Sequence, residues 1–380
     1  MVRIQSVKLQ HVCMKMREPF ETSFGVEEDR DAIIVTVVTA KGNIGYGECV
    51  ASPVPLYSEE TNGTAWHMLQ DFFVPALHHH EFHTVQDLHH IRQTLYPYKG
   101  NKMAKAAIEM AIWDAFSNEA EQPLVQLLGG TKSEIPVGIS IGIQSSIDAL
   151  LDKVRGYLEQ GFQRIKLKVR PGFDLEPLTA VRETFPDILL MADANSAYRL
   201  DDMEHLQKWD QLHLMMIEQP LSHDDIVDHA RLQAQLKTPI CLDESIHSVD
   251  DLRKAIDIKA CQVVNLKVGR VGGFGEALLI HQLCKESGMD LWCGGMEETG
   301  IGRLHNIALT ALPGFTLPGD TAPSARYFDE DIIDPPVLFS RPGVLKVEPL
   351  AGVASRVNRD RLSKWTLEEL MIDSKARVVK

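Results

Sequence analysis

The sequence predicts an α/β protein: a closed parallel (β/α)7β barrel of the TIM type, joined to an α+β capping domain made from the N-terminal third and the C-terminal tail. Three observations predict it. The chain has 380 residues, more than the roughly 250 of a plain eight-fold barrel, so a barrel with a second domain is the natural prior. The first third reads as an antiparallel meander followed by helices. After Pro123, short apolar runs alternate with helical segments, the pattern of parallel strands and crossover helices. The predicted divisions are residues 1–125 for the cap, 126–323 for the barrel and 324–380 for a Pro- and Asp-rich segment returning to the cap.

Residues 2–12 alternate as a strand, and residues 32–38 followed by Gly42-Asn43-Ile44-Gly45-Tyr46-Gly47 read as strand, turn, strand. Between them, residues 16–31 place Phe20, Phe24 and Gly25 among charges. That is the make-up of a lid, with a plain hairpin as the competing reading. From about Ser58 to Ser117 the spacing turns helical, most clearly over 105–115. The barrel strands are predicted at Val137–Ile141, Ile165–Val169, Leu189–Asp193, Leu214–Glu218, Ile240–Glu244, Val263–Val268, Leu291–Gly294 and Phe315–Gly319.

Composition excludes several function classes. With 44% hydrophobic and 24% charged residues, the chain is an ordinary globular one. A net charge of -14 argues against nucleic acid as a partner. A carboxylate substrate entering so acidic a protein needs local cations, a metal or lysines. Six scattered cysteines without a C-x-x-C pair fit reduced core thiols. No apolar run approaches the roughly 18 residues of a membrane span, and residues 1–5 lack a signal-peptide apolar region, so the expected location is the cytoplasm. The histidines at 78–80, 83, 89 and 90 read as a solvated helical face.

Five predicted strands end in polar residues where core residues are the norm: Lys168, Asp193, Glu218, Asp243 and Lys267, spaced 25, 25, 25 and 24 apart. The period is one strand, one helix and two loops. Three carboxylates on neighbouring strands converge, and like charges so close require a cation. All-oxygen ligation favours Mg2+, with Mn2+ as a substitute. The competing reading is that each carboxylate caps a helix or pairs with a lysine. The two lysines flank the trio and would face each other across the barrel. Neighbouring positive charge would depress their pKa values toward those of a general base, and a cation on a substrate carboxylate would stabilise the enediolate left when an α-proton departs. Lys166, two residues before Lys168 on the same strand face, is expected to bridge to a metal ligand.

Taken together, Ile165-Lys166-Leu167-Lys168-Val169, Met191-Ala192-Asp193-Ala194-Asn195, Ile217-Glu218-Gln219-Pro220, Leu242-Asp243-Glu244-Ser245 and Asn265-Leu266-Lys267 resemble the enolase superfamily, in its muconate-lactonising-enzyme-like group, over essentially the whole chain. Lys267-Val268-Gly269-Arg270-Val271-Gly272-Gly273 and the segment 294–303, with Gly294, Gly295 and Met296, resemble the o-succinylbenzoate synthase / N-succinylamino acid racemase family. The resemblance implies that Lys168 is the base, that Lys267 faces it across the substrate, and that Asp193, Glu218 and Asp243 bind magnesium. It leaves Asn195 in support, and Arg270 matches an arginine associated with racemase activity. The implied reaction is dehydration of a succinyl-bearing cyclohexadiene carboxylate in menaquinone synthesis. Racemisation of N-succinylamino acids in the same site is the alternative. Dipeptide epimerisation, with Asp320 for a substrate ammonium, and a non-catalytic scaffold are further options. Backbone N–H groups at Gly294 and Gly295 and the Ser140 hydroxyl are expected to meet a distal carboxylate. A homo-oligomer is expected, as is common for large barrels.

Overall fold

The first strand, Val2–Glu21, buries Val7 and Leu9 on one face and pairs on both edges. In the computed structural model, which describes residues 1–23 and 25–373, one edge takes Val26–Thr39 and the other Thr366–Asp373, both antiparallel. Ile44–Cys49 adds to the far side of Val26–Thr39. Helix Lys102–Ala120 lies on this sheet with residues 103–117 all buried. Its approach is permitted by two glycines: a Cβ on Gly45 would stand 2.1 Å from the Ala115 nitrogen, and one on Gly47 2.0 Å from the Ala107 oxygen.

The described residues of the 16–31 segment form a β-hairpin, the competing reading. Strand pairing continues from Lys15 opposite Asp29 to Glu21 opposite Val26, and the turn is closed by the Thr22 N–H donating to the Gly25 carbonyl at 2.9 Å. Charged residues hid these strands because the projecting ribbon is solvated over much of both faces. Its backbone ladder forms without alternating hydrophobes.

Seven parallel strands follow in chain order: Ile139–Ile141, Ile165–Lys168, Leu190–Asp193, Ile217–Glu218, Ile240–Leu242, Val263–Leu266 and Asp290–Cys293. The eighth predicted run, Phe315–Gly319, is not a continuous strand, since Pro318 cannot donate to a ladder. It still closes the ring. Thr316 N–H donates to Leu291 O and Asp320 N–H to Cys293 O on one side, while Gly319 bridges Val137 on the other. Inside, Met191, Met216, Cys241, Val263 and Trp292 form a buried apolar layer.

All six cysteines are free and five of them are buried. His78 is also buried and His89 half-buried against Trp113, which corrects the solvated-face reading for those two. Among the described residues, no helix is long and apolar enough to cross a membrane.

Candidate active site

Strand alternation puts residues two apart on the same face, so Lys166 with Lys168, Met191 with Asp193, and Asn265 with Lys267 point to the same interior. Register brings the charges level, with Lys168 opposite Asp193 and Asp193 opposite Glu218. Asp243 and Lys267 stand one residue beyond their strands. Non-glycine residues in the left-handed region gather at this rim: Asn195 at φ 40°, Ser196 at 65°, Gln219 at 37° and Glu297 at 51°. Such strain persists where surrounding contacts over-determine the backbone. Here Gln219 Oε1 accepts from the Asp243 N–H at 3.0 Å.

Lysines thread the carboxylates. Lys166 Nζ lies 3.0 Å from Asp193 Oδ2, 3.0 Å from Glu218 Oε2 and 3.1 Å from Asp320 Oδ2, and 4.9 Å over the Trp292 ring. Lys168 Nζ donates to Asp193 Oδ2 at 2.7 Å and Asn195 Oδ1 at 2.6 Å. Across the mouth, Lys267 Nζ is 2.8 Å from Asp243 Oδ2 and donates to the Tyr57 hydroxyl at 3.0 Å. Both lysines line one small chamber with Ser140, Lys166, Asn195, Gly295 and Met296 from the barrel and Phe20 and Tyr57 from the cap.

The electrostatics follow from this crowding. Burial works to raise the Asp193 pKa, but Lys168 and Lys166 outweigh it and hold the group below the ordinary carboxylate range. Asp243 is likewise held down by Lys267 and Arg270 against burial. Glu218 goes the other way, pushed up to about 8 by burial and by the Asp193 charge. Burial would lower Lys267, yet Asp243 dominates and raises it well above its usual value. Its nearest charges are carboxylates, not the other lysine.

Does this donor set fit a divalent cation? Among the described residues, no three of His, Cys, Asp or Glu already stand at clasping distances, and Lys166 lies between Asp193 and Glu218. The chemistry nevertheless fits. The donors are all oxygen, and Glu218 is driven toward protonation by burial and by the Asp193 charge, which a cation beside the pair would relieve.

Of the residues singled out in the sequence, Arg270 and Gly294 are committed to contacts outside the chamber. Arg270 is buried behind Asp243, 3.0 Å from its Oδ1, and donates to the carbonyls of Asn265 and Ile246. The Gly294 N–H is committed to Leu266 O at 3.0 Å, and a Cβ there would meet Asn265 Oδ1 at 2.2 Å. Gly294 therefore serves close packing rather than substrate. Asp320 is not poised for a substrate ammonium, being held by Arg164 at 2.8 Å and by Lys166, and accepting from the Ser140 hydroxyl at 3.0 Å. Phe24 lies outside the described residues. Sequence reasoning missed Asn265, whose Nδ2 donates to Glu218 Oε1 at 2.6 Å. A polar residue two before Lys267 in an apolar strand was the available signal. Tyr57 and the buried Arg30, which reach the chamber from the cap, carried none.

A (β/α)7β barrel with lysines and carboxylates alternating at its strand ends, closed by an α+β cap, defines an enzyme of the enolase superfamily. The chain belongs to that superfamily and, within it, to the o-succinylbenzoate synthase / N-succinylamino acid racemase family: residues 4–129 match the mandelate racemase / muconate lactonizing enzyme N-terminal domain, and residues 149–361 the enolase C-terminal domain-like model. It is 50% identical over 369 residues to an o-succinylbenzoate synthase of Geobacillus kaustophilus, covering 96% of each chain. It is 43% identical to an N-succinylamino acid racemase of Thermus thermophilus, covering 96% of this chain and 98% of that one. A crystal structure of an enolase superfamily member from Listeria innocua superposes with a TM-score of 0.94 at 41% identity, over 99% of this chain and 100% of that one.

Proposed function

We propose that this chain is an o-succinylbenzoate synthase, which removes the α-proton of 2-succinyl-6-hydroxy-2,4-cyclohexadiene-1-carboxylate and expels the hydroxyl from the same face, a step of menaquinone synthesis. The observation that carries the reading is that Lys168 and Lys267 line one buried chamber, each paired with a strand-end carboxylate, Asp193 and Asp243. The likeness to named synthases over nearly the whole chain supports it.

In this reading Lys168, as the free amine, takes the α-proton. Asp193 and Asn195, already within hydrogen-bond distance, hold the nitrogen in place and stabilise the ammonium it becomes. That ammonium lies on the face from which the hydroxyl leaves. Lys267, kept cationic by Asp243, offers positive charge to the enediolate from the opposite side. Asp193, Glu218 and Asp243 would hold Mg2+, or Mn2+ in its place, which supplies positive charge beside the substrate carboxylate. Lys166 and Arg270 position those ligands. Phe20 and Met296 exclude water, while Ser140 and Gly295 face the more distant part of the substrate. The reading carries with it a cap of residues 1–125 and 324–380 over a barrel of 126–323, a homo-oligomeric state and a cytoplasmic location.

Racemisation of N-succinylamino acids is the second activity, favoured by the two-lysine arrangement and by a racemase relative at 43% identity. It requires each lysine to act as base in one direction.

The test is a paired assay with Mg2+: dehydration of the cyclohexadiene carboxylate against racemisation of N-succinyl amino acids, with Lys168→Ala alongside. Dehydration that outpaces racemisation and is lost in Lys168→Ala is the expected result. Failure of dehydration with efficient racemisation would transfer the function to the second activity.

A further inference from the structure

The chamber between the two lysines has a volume of about 50 Å3, against the roughly 300–1,000 Å3 of pockets that enclose small-molecule ligands. It is too small to enclose the whole substrate. A second cavity, of about 520 Å3, lies against it, and Phe20 and Tyr327 belong to the walls of both. On the first barrel strand, Ser140 faces the small chamber and the following residues, Ile141 and Gly142, face the large one.

Arg326 lines the large cavity, with its guanidinium carbon 5.8, 5.7 and 5.1 Å from the ring centres of Phe20, Tyr157 and Tyr327. Its Nη2 donates to the Ser140 carbonyl and its Nη1 to the Tyr327 hydroxyl at 3.3 Å. Among the described residues it has no ion pair within 4.0 Å. Arg17 and Lys153 also line the cavity, but each has a carboxylate partner, Asp329 at 3.1 Å and Glu18 at 2.7 Å respectively. Among the described residues, Arg326 is therefore the one cation on this wall without a carboxylate partner. A guanidinium caged by aromatic rings and lacking a counter-ion offers a planar fork of the shape a carboxylate fills.

We propose that Arg326 is a specificity-determining residue: the acyl arm of the substrate passes between Phe20 and Tyr327, and its terminal carboxylate pairs with Arg326 in the larger cavity. The inference rests on the proposed function, which supplies a substrate with a distal carboxylate. It assigns the selection of a succinyl over a neutral acyl group to one cation outside the catalytic chamber.

The test compares N-succinyl and N-acetyl forms of one amino acid, read as α-proton exchange in heavy water with Mg2+, alongside dehydration of the synthase substrate. Wild type, Arg326→Met and Arg326→Lys are assayed, with melting temperatures to establish that each variant is folded. Wild type is expected to prefer the succinyl form. In Arg326→Met the succinyl-to-acetyl ratio of kcat/KM falls about 10–100-fold, chiefly through KM, as for loss of a desolvated charge-assisted hydrogen bond. Arg326→Lys, which keeps the charge without the fork, lowers the ratio roughly 3–10-fold and is the variant to read if Arg326→Met does not fold. An unchanged ratio in a folded variant, equal losses for both acyl forms, or a wild type indifferent to the acyl group would overturn the inference while leaving the proposed function standing. A wild type that neither dehydrates nor exchanges would bring down both.

Discussion

Two layers of the same barrel, separated by one or two alternations of the strands, are both buried and are built on opposite principles. The lower layer holds Met191, Met216, Cys241, Val263 and Trp292, whose apolar surfaces satisfy one another. The upper layer holds Lys168, Asp193, Glu218, Asp243 and Lys267, every one of them also buried. Burial stabilises the first and strains the second, where charges are removed from water and only partly matched. The lower layer holds the strands in register so that the upper one can keep its charges close.

The largest effect that would sharpen this contrast is on chemistry alone. Lys168→Ala should lower proton abstraction by at least about 10^3-fold, the scale of removing a principal acid–base group, with the melting temperature close to that of wild type. A loss of folding instead would show that the upper layer also holds the barrel together. Trp292→Ala should do the reverse, costing about 3–5 kcal/mol of stability as large aromatic truncations in cores do, measured by denaturant unfolding. Mg2+ is expected to raise the melting temperature, by an amount corresponding to about 2.7 kcal/mol at a hundred times its Kd. A melting temperature indifferent to Mg2+ would contradict the assignment of the carboxylate trio as its site.

The smallest effect is a pH dependence confined to the upper layer. In the metal-free protein the folded-state pKa of Glu218, about 8, lies above its ordinary value of 4.5. The folded state therefore binds more protons than the unfolded state between those values. The stability this group contributes is full below about 4.5 and is lost as pH rises through about 8. Metal-free wild type should thus lose more stability between pH 6 and pH 8.5 than Glu218→Gln, as read by thermal melts. Equal losses would place the proton elsewhere in the cluster.

What was legible in the sequence follows the same division. Charged residues closing apolar strands at a regular interval expose a barrel mouth without any structure, because no packing argument accounts for them. Residues that reach the site from the cap leave no such trace: Tyr57 comes from an irregular segment and Arg30 from strand Val26–Thr39, where neither a period nor a composition shift marks them. The eighth strand was over-read because Phe315–Gly319 is apolar, and Pro318 limits it to isolated bonds. The hairpin of residues 16–31 was under-read because its ladder needs no hydrophobic alternation. For Lys267, strand position was evident from spacing, but its ionisation depended on how near Asp243 lies, which spacing alone does not fix.

The pairing of Ser6–Val12 with Thr366–Asp373 also sets a timetable. One edge of the cap sheet is furnished by residues some 360 positions downstream, as the hydrogen bond from Gln10 Nε2 to Thr366 Oγ1, 356 residues apart, makes plain. At translation rates of roughly 5–20 residues per second, the first strand waits on the order of 20–70 s for that neighbour to be synthesised. During that interval the nascent chain carries an open strand edge, which is where unwanted pairing between chains begins. The barrel strands are all made within it, so the catalytic scaffold can assemble before the cap sheet gains its last strand.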